Sequence, residues 1–448
     1  MSDYIERPRY TCALGGAIAT VSALPDAIPI LHAPSGCAGN FTWTQAGGCG
    51  LQTGGYCGGL SMPGSNVLER DVVFGGAERL EEEVTSTLEV MDGKLYVIIT
   101  SCVTEVIGDD IAAVARPFRE RGVPLIFAET GGFKGNSYHG YDLVLQSLLR
   151  DFAEKTEKKE ARKVNLWGIT PFLDPFWRGN LEELRRLLTG LGLEVNSFFT
   201  ADDSVDGIRA AGSAALNIVV SDVYGMGAAE AAREVHGTPY ITAPLPVGPS
   251  ATDAFLRQVS RALGLPEEET EQLIQQENRK YYRFLENFTD CYNDMDLQRY
   301  VAVVGDANYA VGLTKFLADD LGWLPEVTAT TDLLDETQTE LLSRRLAELD
   351  SGLRPRVIFA TDSSQIREAT VAHWKTGNEP GNFYANPRSP AFVIGSSLDR
   401  ELAKELGAAH LSVSFPVANR AVLDRGYTGY RGGLRLIEDL VSTIVIGR

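Results

Sequence analysis

Basic residues are scarce: 41 lysines and arginines stand against 60 aspartates and glutamates, a formal charge of −19 at pH 7. That deficit argues against nucleic acid and anionic membranes as partners, because both call for basic surface. It leaves room for a docked partner with a basic face, although an acidic surface most often reflects plain solubility. Long apolar runs are missing too, and nothing approaches the roughly 20 residues that span a bilayer. Met1-Ser2-Asp3-Tyr4-Ile5-Glu6 has no basic segment leading into an apolar stretch, so no secretory leader is expected and a cytoplasmic location follows. Histidine is rare: His32, His139, His236, His373 and His410 form no i,i+4 pair, so none is a metal ligand on spacing grounds. Cys-x-x-Cys pairs, a P-loop and a nucleophile elbow are all lacking. Their lack removes the usual zinc site and any reading as a hydrolase or NTPase by itself. A nucleotide-driven step would belong to a partner.

What is present is a repeating α/β pattern. The 448 residues exceed what one hydrophobic core supports. Short β-branched runs at 28–31, 95–100, 123–128, 164–169, 218–221, 300–304, 356–360 and 391–394 predict strands. Helical periodicity at 180–191, 227–236 and 251–263 alternates with them, the signature of βαβ units with parallel sheets flanked by helices. The charged tract 154–163 reads as a helix end or linker, and 266–295 reads as one long amphipathic helix. Three Rossmann-like domains are expected, at 1–160, 161–295 and 296–448. Gly305-Asp306-Ala307-Asn308, after the strand at 300–304, reads as a tight strand-to-helix turn without the full phosphate-binding spacing.

The chemistry is concentrated in the cysteines, and five of the six precede residue 103. Disulfides are not expected in a reducing compartment. Cys12 lies in Thr11-Cys12-Ala13-Leu14-Gly15-Gly16, Cys37 follows His32-Ala33-Pro34-Ser35-Gly36, and Cys102 precedes Val103-Thr104-Glu105. Cys37 and Cys102 both fall just past the carboxyl end of a predicted strand, the edge at which open α/β sheets bind ligands. A helix after Cys102 would aim N–H groups at the turn and favour a thiolate. Buried inert thiols are the plain alternative. Widely spaced thiolates gathered from several loops fit an iron–sulfur cluster better than zinc. Three ligands are one short of the usual four, so a second protein surface is expected to complete the set. Within the chain, Cys49 and Cys57 are weaker candidates for that role. Both lie in 42–64, whose glycine density predicts a loop and not a stable helix.

Beyond these readings, the chain resembles the nitrogenase component 1 superfamily, specifically its β-type subunits, through most of its length. The resemblance is carried by Cys12, Gly36-Cys37, Val73-Phe74-Gly75-Gly76 and Cys102-Val103-Thr104-Glu105-Val106-Ile107-Gly108-Asp109-Asp110. It continues in Phe133-Lys134-Gly135-Asn136-Ser137-Tyr138, Gly140-Tyr141-Asp142, Thr252-Asp253-Ala254-Phe255-Leu256, Gly305-Asp306, Val311-Gly312-Leu313, Phe415-Pro416, Asn419-Arg420 and Gly429-Tyr430. It implies the component 1 fold of three Rossmann-like domains, and a heterodimer with an α-type subunit that pairs into an α2β2 heterotetramer. It also implies that Cys12, Cys37 and Cys102 supply half the iron ligands of an interfacial P-cluster (8Fe-7S type) shared with the α-type subunit. An ATP-dependent iron protein would dock transiently, and electrons would pass through the P-cluster to an iron-containing catalytic cofactor in the α-type chain. No catalytic residue is assigned to this chain, and Cys291 has no matching role.

The departures from the β-type pattern are informative. Cys12 stands where molybdenum-nitrogenase β subunits already have a long extension behind them. Gly131-Gly132 takes the place of a serine that can bind the oxidised P-cluster, and the insertion with Cys49 and Cys57 has no counterpart. These differences favour a nitrogenase-like reductase, in the first place a methylthio-alkane reductase that cleaves carbon–sulfur bonds in small thioethers. The alternatives are a dinitrogen-reducing β subunit, a cofactor-assembly scaffold, and an unrelated α/β binding protein with structural cysteines.

Overall fold

The computed structural model describes residues 5–51, 62–376 and 387–446. Every strand pairing within its three sheets is parallel. The first sheet has the order β1 (Ala27–His32), β2 (Leu95–Thr100), β3 (Leu125–Ala128). Around it run α1 (Ala13–Ala23), α2 (Ser35–Gly48), α3 (Glu69–Phe74), α4 (Ala77–Val90), α5 (Cys102–Ile107), α6 (Ile111–Glu120) and α7 (Ser137–Ser147). The second sheet contains β4 (Glu160–Trp167), β5 (Glu194–Asn196), β6 (Ala214–Val219) and β7 (Tyr240–Thr242) in the order β5-β4-β6-β7. Its helices are α8 (Trp177–Gly190), α9 (Val205–Arg209), α10 (Met226–His236) and α11 (Gly248–Leu263), followed by α12 (Glu267–Glu286) and α13 (Thr289–Asp294).

The third sheet contains β8 (Tyr300–Gly305), β9 (Leu324–Thr330), β10 (Arg356–Phe359), β11 (Ala391–Gly395) and β12 (Ala409–Ser412) in the order β10-β9-β8-β11-β12. Chain order reverses between β8 and β11, the doubly wound arrangement with a switch point there. Its helices are α14 (Ala307–Lys315), α15 (Glu336–Ala347), α16 (Ser363–Lys375), α17 (Arg400–Leu406) and α18 (Gly429–Ile446). Sheets covered on both faces explain why the strands read as continuous apolar runs and not as alternating ones. One buried cluster joins all three sheets through Ile99, Leu166 and Val303, while separate clusters close the outer faces of the first sheet (Ile30, Ile98, Leu80) and the third (Val304, Val393, Ile366). Among the described residues no helix is long and apolar enough to cross a membrane.

Four strands escape the sequence pattern. β5 and β7 have only three residues each, β9 includes Pro325 and Glu326, and β12 includes His410. Three other expectations need correction. The tract 154–163 is not all linker, because Glu160–Lys163 begins β4 and the Lys163 ammonium lies 3.3 Å from Glu160 and 3.8 Å from Glu194 across the sheet edge. The helix expected over 266–295 is two helices, broken at Asn287-Phe288, where Phe288 turns onto the core. The glycine-rich segment is helical through Gly48, since tertiary contact overrides a helix penalty of about 1 kcal/mol per glycine. A Cβ at Gly48 would lie 2.7 Å from the Phe415 ring, so glycine is what lets that helix end pack there.

The helix crossing that matters most for the cysteines is α1 on α7. A Cβ at Gly16 would lie 1.6 Å from the Ser137 carbonyl oxygen, and one at Gly140 would lie 1.8 Å from that of Ala13. The two backbones therefore touch, and the start of α1 is fixed against the start of α7.

Candidate metal centre

The three sequence-predicted cysteines all sit at helix beginnings on one side of the first sheet. Cys12 is the N-cap of α1, with extended backbone and a side chain that makes no capping bond. Its segment is pinned by Ala13 N–H to Gly135 O at 2.9 Å and Ser137 N–H to Thr11 O at 2.9 Å. Cys37 is the third residue of α2, with its N–H donating to Pro34 O at 3.1 Å. Cys102 opens α5 behind Ser101, the N-cap whose hydroxyl accepts from Thr104 N–H. β1 and β2 are neighbours with His32 opposite Thr100, so the segments carrying Cys37 and Cys102 leave the sheet side by side.

That juxtaposition is braced by His32, which is fully buried. Its carbonyl accepts from Ser101 N–H and from Thr104 Oγ1, both at 3.0 Å, tying the end of β1 to the start of α5. Its ring lies 2.9 Å from Ser65 Oγ and 2.9 Å from Asp109 Oδ2. Asp109 Oδ1 in turn accepts from Gly76 N–H at 2.8 Å. The Phe74-Gly75-Gly76 and Ile107-Gly108-Asp109-Asp110 motifs, separate in sequence, are thus one hydrogen-bonded unit. Burial holds His32 below its ordinary pKa, against the opposing pull of Asp109. On the other side Glu105 braces α5 to the 129–134 turn. Glu105 Oε1 accepts from Thr100 Oγ1 and Gly131 N–H at 2.6 Å each, and Oε2 lies 2.9 Å from Lys134 Nζ. In that turn Gly132 faces Cys12, where a Cβ would come 3.4 Å from the sulfur. His32, Asp109 and Glu105 thus brace the segments that carry the cysteines, and Gly132 lies against Cys12, contacts that cysteine spacing could not reveal.

Among the three thiols, Cys37 feels the charge of both others. Burial raises the Cys37 thiol, and Cys102 and then Cys12 push it further in the same direction. Three thiolates without a cation repel; iron would reverse that penalty. Among the described residues no three Cys, His, Asp or Glu side chains converge closely enough to hold one metal ion. A single zinc ion therefore does not fit, whereas a multinuclear group touching each sulfur separately suits this soft donor set. Cys102 is exposed and Cys12 and Cys37 are half-buried. Apolar side chains on the neighbouring segments stand open to solvent: Phe74 is 82% exposed, Val106 76% and Phe133 62%.

The weaker candidates do not join this group. Cys49 is buried in the core and pairs with Val417, and its electrostatic neighbour is Arg178. Cys57 lies outside the described residues. Cys291 is exposed on α13, its sulfur 3.3 Å from that of Met295. The Gly305-Asp306 turn is tight, as expected. Asp306 caps α14 through Asn308 and Tyr309 N–H at 3.1 Å each, so the chain's own carboxylate fills the place a phosphate would take.

Comparison with known proteins bears on the same region. A family model described as "Nitrogenase component 1 type Oxidoreductase" matches residues 12–445. The chain is 26% identical over 460 residues to a nitrogenase vanadium-iron protein beta chain of Trichormus variabilis, covering 95% of this chain and 90% of that protein. It is 27% identical over 407 residues to a nitrogenase molybdenum-iron protein beta chain of Sinorhizobium fredii, covering 86% and 74%. It is also 28% identical over 308 residues to the nitrogenase iron-molybdenum cofactor biosynthesis protein NifE of Clostridium pasteurianum, covering 68% and 64%. Among solved structures, nitrogenase Cp1 at pH 6.5 superposes with a TM-score of 0.81 at 19% identity, covering all of this chain and 94% of the other. That likeness concerns the fold.

Proposed function

The chain belongs to the nitrogenase component 1 type oxidoreductase family, and on that premise we propose that it is the β-type, electron-relaying subunit of a nitrogenase-like reductase. The family membership and the β-chain relatives make it a subunit of an oxidoreductase. The observation that carries the finer reading is the arrangement of Cys12, Cys37 and Cys102. Three thiols open three adjoining helix starts, too dispersed for one ion, with Cys102 open to solvent beside apolar side chains. Such a set supplies half of a cluster site whose remaining ligands come from an α-type subunit. An iron–sulfur cluster of the P-cluster type, held there, would supply one-electron transfer at low potential. The contribution of this chain is to hold the sulfurs at fixed spacing through His32, Thr104 and Glu105 and to leave Gly132 as a backbone-only neighbour of Cys12. We take the three sheets as three domains, divided at 295/296 and, because Glu160 already opens β4, just before residue 160 rather than at 160/161.

We further propose that the assembly is an α2β2 heterotetramer that receives electrons from an ATP-dependent iron protein. The iron-containing catalytic cofactor would lie in the α-type chain, and the substrates would be methylthio-alkanes. Gly132 supports this choice over dinitrogen, because it offers no hydroxyl beside Cys12. The similarity to NifE supports a second reading, a cofactor-assembly scaffold. Anaerobic co-purification with iron and sulfide analysis, EPR, and assays with thioethers and with dinitrogen separate these. A brown complex with a second chain of similar size that releases alkane from thioethers is expected. A bound cluster with no reduction of either substrate would favour the scaffold. Ala at Cys12, Cys37 or Cys102 should lower iron content and change the EPR signal, and unchanged iron would sink the assignment of these ligands.

A further inference from the structure

Strand ends of the second and third sheets meet the starts of α1 and α7 at one buried point. Tyr224 follows β6, Asp306 follows β8 and Asp332 follows β9, while Tyr10 enters two residues before Cys12 and Tyr138 from the first turn of α7. Tyr224 Oη donates to Asp332 Oδ1 at 2.7 Å, and Ala307 N–H donates to Asp332 Oδ2 at 2.6 Å. The Tyr138 ring lies flat on Tyr224, with centroids 4.0 Å apart at 7°, and meets Tyr10 edge-on at 4.8 Å. Tyr10 Oη and Thr331 Oγ1 are 2.6 Å apart. Aromatic rings therefore run in contact from Tyr224, bonded to Asp332, to Tyr10 on the segment that carries Cys12.

Among the described residues no salt bridge reaches Asp174, Asp306 or Asp332. Asp306 accepts from Asn308 N–H, Tyr309 N–H and Ser414 Oγ. Asp174 accepts from Phe176 N–H, Asn180 Nδ2 and Tyr309 Oη. The groups facing Asp332 are Tyr224, Tyr10, Tyr138 and Asp306. Arg9, which faces Tyr10 and Tyr138, is held by Asp399 at 2.6 and 2.9 Å. Buried like charges cannot all be ionised at neutral pH. A second observation points the same way. The Tyr138 hydroxyl, which faces Asp306 and Asp332, and Thr330 Oγ1 at the end of β9 are both buried without a hydrogen-bond partner. Such groups mark a place for a mobile proton carrier. Solvent is near on the far side, since Leu333, next to Asp332, is 56% exposed.

We infer that this junction is a proton-loading site: Asp332, linked by Tyr224, Tyr138 and Tyr10 toward Cys12, takes up one proton when one electron enters the metal centre at Cys12, Cys37 and Cys102. This rests on the reading of that centre as a redox cluster. The balance is simple. A reductant (dithionite in the experiment) delivers one electron to the centre, one solvent proton bonds to the Asp332 carboxylate, and reoxidation returns both. Added negative charge in a low-dielectric interior favours the protonated acid. Burial first and the Asp306 charge second raise Asp332 to about 8, so the exchange falls in the working range of pH.

The test is reduced-minus-oxidised infrared difference spectroscopy on the anaerobic complex near pH 8, in H2O and in D2O. The expected result is a deuterium-sensitive carbonyl stretch of a protonated carboxylic acid that appears on reduction. It should be lost in Asp332→Asn, shifted in Tyr224→Phe, and kept in Asp26→Asn, a surface carboxylate paired with Lys94. At fixed potential and above about pH 8, where the carboxylate is ionised before reduction, the reduced-to-oxidised ratio should fall by up to about tenfold per pH unit in the wild type and by less than about threefold in Asp332→Asn. An absent band, or the same band and pH dependence in Asp332→Asn, would overturn the proposal. If the protein carries no cluster, the function reading fails first. The metal-free full chain then decides separately: a carboxylic-acid band that titrates and is missing from Asp332→Asn retains proton storage at Asp332, and its absence removes it.

Discussion

Replacing Gly140 by Ala isolates what the α1–α7 contact does for the proposed metal centre. The new methyl would stand 1.8 Å from the Ala13 carbonyl oxygen and 2.7 Å from Ala17 N. Both neighbours are backbone atoms, so no rotamer change relieves the overlap. Real Cβ atoms keep at least 3.0 Å, and α1 must therefore retreat by about 1.2 Å. Helix propensity returns about 1 kcal/mol in favour of Ala. Against it, overpacking a rigid contact costs roughly 1–3 kcal/mol. The hydrogen bonds Ala13 N–H to Gly135 O and Ser137 N–H to Thr11 O weaken as the helix moves, at about 1 kcal/mol each. The net loss is about 2–4 kcal/mol, and the displacement should matter more than the energy. Cys12 begins the shifted helix, and metal–ligand distances tolerate only about 0.2 Å. In the complex with its partner, Gly140→Ala should lower the denaturation midpoint and cut iron per chain several-fold. Gly39→Ala in α2, where a Cβ meets nothing within 4 Å, should leave iron unchanged and stabilise slightly. Wild-type midpoint and iron content in Gly140→Ala would refute the reasoning.

The remaining predictions concern the braces. Arg9→Met strands the buried Asp399 and should cost about 3–5 kcal/mol in urea unfolding. Burial raises the Asp399 pKa, but Arg9 and Ser396 outweigh it and leave it below the ordinary value. Its stabilisation is therefore present above the unfolded pKa of about 3.9 and lost as pH falls through the native value, so Asp399→Asn should flatten the acid limb of the stability curve. Gly132→Val crowds a sulfur that a bare Cβ already approaches to 3.4 Å, and iron content should fall at least about tenfold while Gly132→Ser stays within about twofold. His32→Leu leaves Asp109 and Ser65 without the ring, costing about 1–3 kcal/mol, and should speed Cys102 alkylation. Because the folded His32 pKa is depressed, wild-type stability should fall as pH drops below about 6.5, and the mutant should lose that dependence.

The parallel α/β architecture was legible because strands buried on both faces have no alternation to obscure, as 95–100 and 300–304 show. β5 and β7 were not, since three residues carry no periodicity, and Pro325 and Glu326 masked β9. Strand-end placement correctly located Cys37 and Cys102 beyond β1 and β2. It said nothing about which cysteines meet, because that depends on α1 closing onto α7 through Gly16 and Gly140, 124 residues apart in sequence. The helix through Gly48 was missed for the same reason: local glycine propensity points one way, and the fit of Gly48 against Phe415 decides the other. The His32–Asp109–Gly76 brace could have been suspected only from its two motifs, since histidine spacing gave no sign of it.

Two independent shortages describe the same missing surface. The first is chemical: among the described residues Cys12, Cys37 and Cys102 do not converge on one ion, so the cluster proposed for them calls for ligands from elsewhere. The second is physical: Phe74, Val106 and Phe133, on segments adjoining those cysteines, are left in solvent while a large apolar core is buried elsewhere in the chain. A chain that buries Trp167, Trp323 and Trp374 to below 2% exposure has the means to cover three apolar side chains if nothing else is to cover them. Cys49 shows the contrast, being a thiol with no role at the surface that is packed into the core. Ligands short of a site and apolar side chains short of a cover, found together, are what one half of a shared interface should look like, and neither would be expected of a self-contained binding protein with structural cysteines.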